Sequence, residues 1–146
     1  MHFENEVQEK TYERTLELLR ELFEEPTVNP DDGQFYVRYG STVLEVSVEP
    51  YGPEEAIVVV MAFCVQAVRI EEDLLLALLD LNQRLPIGAF SLVDNDVFYS
   101  HAIFGRSLDR NSLLGSIAAV ANIADEYDDR IVSKFGGQTA SERLAT

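Results

Sequence analysis

Few side chains in this sequence of 146 residues are equipped for chemistry, and their spacing sets how far each can be taken. Of the two histidines, His2 sits beside the first residue and His101 lies in the segment VFYSHAIFG. An imidazole titrates near neutrality and can serve as a general base. His101 alternates with Tyr99 and Ile103, so the three share one face of a strand. A pocket around Tyr99 and His101, with Arg106 a few residues on, is the one arrangement here that suits an enzyme or a small-ligand sensor. Spacing alone assembles no serine–histidine–aspartate set. A lone strand histidine more often serves as a hydrogen-bonded structural residue.

The acids Asp125, Glu126, Asp128 and Asp129 raise the question of a metal. Calcium needs several oxygens converging from a loop with a glycine at its sharp turn. These acids fall along a predicted helix end and point several ways, so they read as a solvated face. Asp94 and Asp96 flank a turn whose chemistry already explains them. Cys64 is the only cysteine. It lies in an apolar run and reads as a buried, inert thiol, with no internal disulfide open to it. No phosphate loop, dinucleotide fingerprint or HExxH segment occurs. The residues therefore predict no catalytic group, no cofactor and no metal site, and a protein that is not an enzyme.

The elements that hold these residues follow from periodicity. A helix over residues 3–25 carries Tyr12, Leu16, Leu19 and Phe23 as an apolar stripe, with Val7 before them, and Pro26 ends it. Strands over 35–40 and 42–49 meet at Gly40-Ser41. In the second, Leu44, Val46 and Val48 share one face and Glu45, Ser47 and Glu49 the other. The run AIVVVMAFCVQAV has no alternation and reads as a central strand over 56–65, covered on both faces. A leucine-rich helix over 71–85 closes at Pro86. Strands over 87–94 and 97–105 form a hairpin around Asp94-Asn95-Asp96. A helix over 109–135, rich in small residues, ends at Gly136-Gly137. Short turns require antiparallel pairs. The prediction is α+β: a single antiparallel sheet of about five strands with helices packed on it, in the order α-β-β-β-α-β-β-α. Residues 1–137 form one domain and 138–146 a polar tail. Leu19, Phe23, Leu78, Leu81, Phe90, Ile117 and Val120 are the expected core.

What remains is surface. The central strand places Ile57, Val59, Met61 and Phe63 on one face and Val58, Val60, Ala62 and Cys64 on the other. Helices on one side of the sheet leave the other to be covered by the third helix, a second subunit or a bound peptide. The expected protein-binding surface is Val58, Val60 and Ala62, with Phe98 and Phe104. The formal net charge is -15. It repels phosphate backbones and anionic lipid, which excludes nucleic acid and membrane surfaces as partners and leaves another protein or an extended peptide segment. A homodimer would bury the same apolar patch on both copies. No run approaches the roughly 20 apolar residues that span a bilayer, and Met1 opens a polar segment rather than a leader, so a cytoplasmic location is expected.

Two long stretches also carry a resemblance. LLLALLDLNQRLPIGAFSLVDNDVFYSHAIFG, followed by LLGSIAAVANIADEYDDRIVSKFGG, resembles the YbjN-like proteins, which share the fold of the type III secretion chaperones. The pattern is a leucine helix ending in Leu81-Asn82 and Leu85-Pro86, a Gly-Ala-Phe strand, a hairpin, and a long helix with Ala124-Asp125 and Tyr127-Asp128. The SKFGG end is similar to a subgroup of unknown function common in cyanobacteria. The resemblance covers roughly residues 3–137. It implies the same element order, a small acidic dimer that binds extended segments of partner proteins, and a chaperone-like or regulatory role without enzyme activity. It carries over no catalytic residue, and a shared fold does not by itself transfer the chaperone role.

Overall fold

The computed structural model describes residues 2–139. Helix α1, Glu6–Leu22, starts where the Asn5 side chain accepts a hydrogen bond from the Gln8 N–H at 2.7 Å. This caps the first turn, whose amide donors have no partner within the helix. Strands β1 (Thr27–Val28), β2 (Phe35–Tyr39), β3 (Thr42–Pro50) and β4 (Ala56–Gln66) follow. Helix α2 spans Glu72–Arg84, β5 spans Ala89–Val93 and β6 spans Asp96–Phe104. A single 3-10 turn at Gly105–Ser107 leads into α3, Arg110–Phe135, and β7 is Gln138–Thr139.

All pairings are antiparallel, in the order β1-β2-β3-β4-β6-β5. The sheet has seven strands rather than about five, because β1 and β7 add two residues each. The α-β-β-β-α-β-β-α succession of the longer elements is as read from the periodicity. β7 pairs with Val65 and Gln66 of β4, beyond the point where β3 begins, so part of the expected tail joins the sheet. Residues 140–146 lie outside the described residues. Gly40 turns the first hairpin at φ 61°, a left-handed conformation that costs glycine little. Asp94 adopts φ 55° in the second, as aspartate tolerates.

All three helices pack on one face of the sheet. One core joins Leu18 and Leu19 of α1, Leu74 and Leu78 of α2, and Leu113, Ile117, Val120 and Ala124 of α3 to the inward strand residues. α3 lies across β4 and β6, where Ala121 and Ala124 allow a close approach. Its start is a capping box: Ser112 N–H donates to the Asp109 carboxylate at 2.7 Å, and Asp109 N–H donates to the Ser112 hydroxyl at 3.0 Å. Gly136 at φ 75° stops it.

Two core expectations need correction. Phe23 and Leu81 are only half-buried at the margin, whereas Leu19, Leu78, Phe90, Ile117 and Val120 are buried. The buried stripe of α1 is Gln8, Thr11, Thr15, Leu18 and Leu19, rotated from the expected one. Polar side chains can take this face because they are satisfied locally. Thr15 donates to the Thr11 carbonyl at 2.7 Å, and Gln8 donates to the Val48 carbonyl at 3.3 Å.

Candidate protein-binding surface

Register decides which strand residues meet the helices. Leu44, Val46 and Val48 of β3 stand opposite Ala62, Val60 and Val58 of β4, and cross-strand partners share a face. Val58, Val60 and Ala62 are therefore fully buried beneath the helices. This corrects the expected surface: of its five residues only Phe98 and Phe104 stand on the other side. The third helix does not cover that side either, since it lies on the same face as α1 and α2.

The uncovered face is apolar along its middle. Ile57, Val59, Met61 and Phe63 of β4 oppose Phe104, Ala102, Ser100 and Phe98 of β6. Phe63 and Phe98 meet edge to face at 5.1 Å between centroids. Phe104 is 52% exposed and contacts Tyr51, itself 57% exposed, at 5.6 Å. The four β4 residues were read from the sequence as one side of a doubly apolar strand, and the opposite side was taken as the surface. The polar alternation of β3 could have made that choice, because Glu45 and Ser47 oppose Met61 and Val59.

Acids border this stripe. Glu45 and Glu49 lie on β3, and the Glu45 carboxyl is pushed above its ordinary range, first by burial and then by the charges of Asp32 and Glu49. Arg106, beyond β6, pairs with Glu55 at 3.5 Å and donates to the Glu54 carbonyl at 2.8 Å.

Two side-chain amides engage backbone groups at the margins of the sheet. Asn82 of α2 accepts from the Phe90 N–H at 2.6 Å and donates to the Phe90 carbonyl at 3.1 Å, occupying the outer side of β5. Gln8 donates to the Val48 carbonyl at 3.3 Å, where β3 runs past the end of β2. Unpaired edges invite pairing with other chains, and both contacts remove edge groups from offer.

The Tyr99 and His101 pair is committed to structure. Both lie on the helix-covered face of β6. Tyr99 is fully buried against Phe90, its hydroxyl donates to the Ile87 carbonyl, and burial followed by Tyr127 pushes its pKa up. His101 Nδ1 shares a hydrogen bond of 2.8 Å with the hydroxyl of the buried Ser116. Arg106 stays with Glu54 and Glu55, so the three do not converge. Cys64 lies under α3 with Sγ 3.5 Å from the Ala124 carbonyl, and burial, with Asp128 second, pushes its thiol up to about 12. Asp96 accepts from the Ala67 N–H at 3.0 Å, tying the hairpin turn to the end of β4. No group of three or more metal-ligating side chains occurs among the described residues. No described helix is long and apolar enough to cross a membrane.

Helix α2 leaves a second apolar surface. Leu75, Leu76 and Leu79 are 42%, 56% and 66% exposed on the side turned away from the core.

Comparisons with known proteins place this geometry. A family model described as TY-Chap1, T3SS (YopN, CesT) and YbjN peptide-binding chaperone 1, matches residues 9–143. A search of curated proteins gives no match. Among solved structures, the ExsC-ExsE complex contains a chain similar to this one at a TM-score of 0.63 and 11% identity, covering 85% of this chain and 95% of that one. The HopA1-SchA chaperone-effector complex contains another, at a TM-score of 0.62 and 17% identity, covering 81% and 94%. At these identities the likeness establishes the fold.

Proposed function

The chain belongs to the TY-Chap1 family of peptide-binding chaperones, and on that premise we propose that it is a non-catalytic protein-binding module, chaperone-like or regulatory, acting in the cytoplasm. Its partner is a segment of another protein, which lies on the uncovered sheet face. The observation that carries this reading is that face itself: a contiguous stripe of β4 and β6 side chains, from Ile57 and Phe104 to Phe63 and Phe98, with no helix over it. Contiguous apolar surface of this kind marks interaction sites on otherwise well-packed proteins. The Asn82 and Gln8 contacts withdraw three backbone groups from strand addition, which favours recognition by the face.

A photo-crosslinking residue placed at Phe98 or Phe104 in the full chain tests this in a lysate. Adducts are expected from both positions and not from Leu114, an exposed position on α3. Phe104→Glu, at an exposed site that should leave the fold intact, should abolish the adducts formed from position 98. Equal labelling from all three positions, or no effect of Phe104→Glu, overturns the reading.

We further propose that two copies pair through the outer leucines of α2. Three exposed leucines on one helix are an apolar centre of the sort that dimer interfaces bury. Light scattering after size exclusion should give about twice the 16.4 kDa chain mass, falling to the single mass for the double variant Leu76→Glu/Leu79→Glu. A wild-type monomer at tens of micromolar would refute it.

A further inference from the structure

A cleft of about 450 Å3 lies between α2 and α3, on the helix side of the molecule and away from the uncovered sheet face. It exists because α2 leans on β5 while α3 follows β4 and β6. Its floor is apolar: Ala77 and Leu81 come from α2, and Tyr127, Ile131 and Phe135 from α3.

Its rim carries the opposite sign from the rest of the protein. Three cations, Arg84, Arg130 and Lys134, border it with one acid, Asp80. Asp80 is already held by Arg84 at 2.6 Å. Arg130 lies over the Tyr127 ring at 5.1 Å, and its ion pair with Glu126 is long at 3.9 Å and exposed. Lys134 has no ion pair among the described residues. Arg69 adds a fourth cation at the same end, its guanidinium donating to the Lys134 carbonyl at 2.9 Å. Four of the chain's 11 Lys and Arg residues stand at this apolar cleft, so on a chain of net charge -15 its rim has a local potential suited to an anion-bearing occupant.

We propose that this cleft is a second docking site, for a partner segment that inserts an apolar anchor side chain between α2 and α3 and sets carboxylates beside it, against Arg130 and Lys134. The sheet-face reading is not needed for this one. The apolar floor supplies affinity through the anchor, and the cationic rim supplies selection, as rim charges chiefly steer and discriminate.

The probe is a random peptide library displayed on phage and selected on the immobilised full chain. Selected peptides are then synthesised and measured by fluorescence anisotropy. The overall charge alone would enrich basic peptides. The cleft should instead enrich a subset with leucine or an aromatic next to aspartate or glutamate. These should bind the double variant Arg130→Glu/Lys134→Glu at least about tenfold more weakly at low salt, with the difference shrinking as ionic strength rises and screening shortens. Both positions are exposed, and circular dichroism confirms that the fold is kept. The neutral pair Arg130→Gln/Lys134→Gln should give a smaller loss, and Phe104→Glu none. The inference is overturned if no acidic subset is enriched, if charge reversal leaves its affinity unchanged, or if Phe104→Glu abolishes binding, which would assign the peptides to the sheet face. A fall in assembly mass for the charge-reversed variant would overturn it too, by showing that the cleft seats a second copy of this chain.

Discussion

Replacing Asn82 should open the β5 edge, and the cost can be worked out from two hydrogen bonds. The side chain accepts from the Phe90 N–H and donates to the Phe90 carbonyl, so Asn82→Ala removes both partners of one backbone unit. A net value of about 0.5–1.5 kcal/mol per hydrogen bond gives about 1–3 kcal/mol for the two. The Phe90 side chain is buried, which hinders water from replacing the lost partners, so the upper part of that range, about 2–3 kcal/mol, is expected. Urea unfolding of the full chain, compared at equal m, measures it. Asn82→Asp supplies a sharper control. The carboxylate can still accept from the Phe90 N–H but faces the carbonyl with another acceptor. It should be destabilised at neutral pH and recover in acid, once protonation restores a donor. Freed edge groups should also make Asn82→Ala associate at concentrations where the wild type does not, visible by light scattering. A change below about 0.5 kcal/mol for Asn82→Ala, together with a pH-independent effect of Asn82→Asp, would refute the clamp.

Leu78→Ala should cost about 2–5 kcal/mol, since Leu78 is a buried member of the central cluster, and a shift typical of surface sites would show that it is not. Cys64, with its thiol pushed up to about 12, should resist iodoacetamide in the native protein and react fully in denaturant; fast native labelling would contradict its burial. Glu45 has a carboxyl pKa raised in the folded state, so folding binds protons there and stability falls as pH rises through the interval between its unfolded and folded values. Glu45→Gln should therefore raise Tm at neutral pH and have no such effect below the ordinary carboxylate range, and a pH-independent change would argue against the raised value.

The long elements were legible in the sequence because each shows a clean period. The Gly40-Ser41 and Asp94-Asn95 turns were legible because their residues suit them. β1 and β7 were not, because two residues carry no periodicity and form only where a neighbouring strand leaves groups unpaired. The buried face of α1 was misread because Gln8, Thr11 and Thr15 are polar, and their burial depends on bonds to Val48 and to the helix itself that sequence spacing does not show. The candidate surface failed at a single step. A strand apolar on both faces cannot say which one the helices take. The β3 register could have said so, because the apolar face of β3 must lie on the same side as Val58, Val60 and Ala62. The β3–β4 pairing, unlike β4 alone, points to Ile57, Val59, Met61 and Phe63. The α2–α3 cleft was not legible at all, because it depends on how two helices diverge over a sheet.

The open apolar face is not what solubility alone would produce. A protein selected only to stay dispersed would cover or charge its open sheet face as well as protect its edges. Here Asn82 engages both backbone groups of Phe90 and Gln8 the carbonyl of Val48, while β4 and β6 keep phenylalanine, valine, isoleucine and methionine on the open side. Edge pairing is backbone chemistry and accepts almost any extended chain, whereas a face reads side chains. Engaging edge groups while leaving the face accessible favours selective docking over open-ended strand addition. The strong negative charge completes the arrangement, since repulsion between like-charged copies limits promiscuous contact through the apolar stripe without covering it. On the proposed reading, a partner has to bring a surface that matches the stripe and tolerates its acidic border at Glu45 and Glu49.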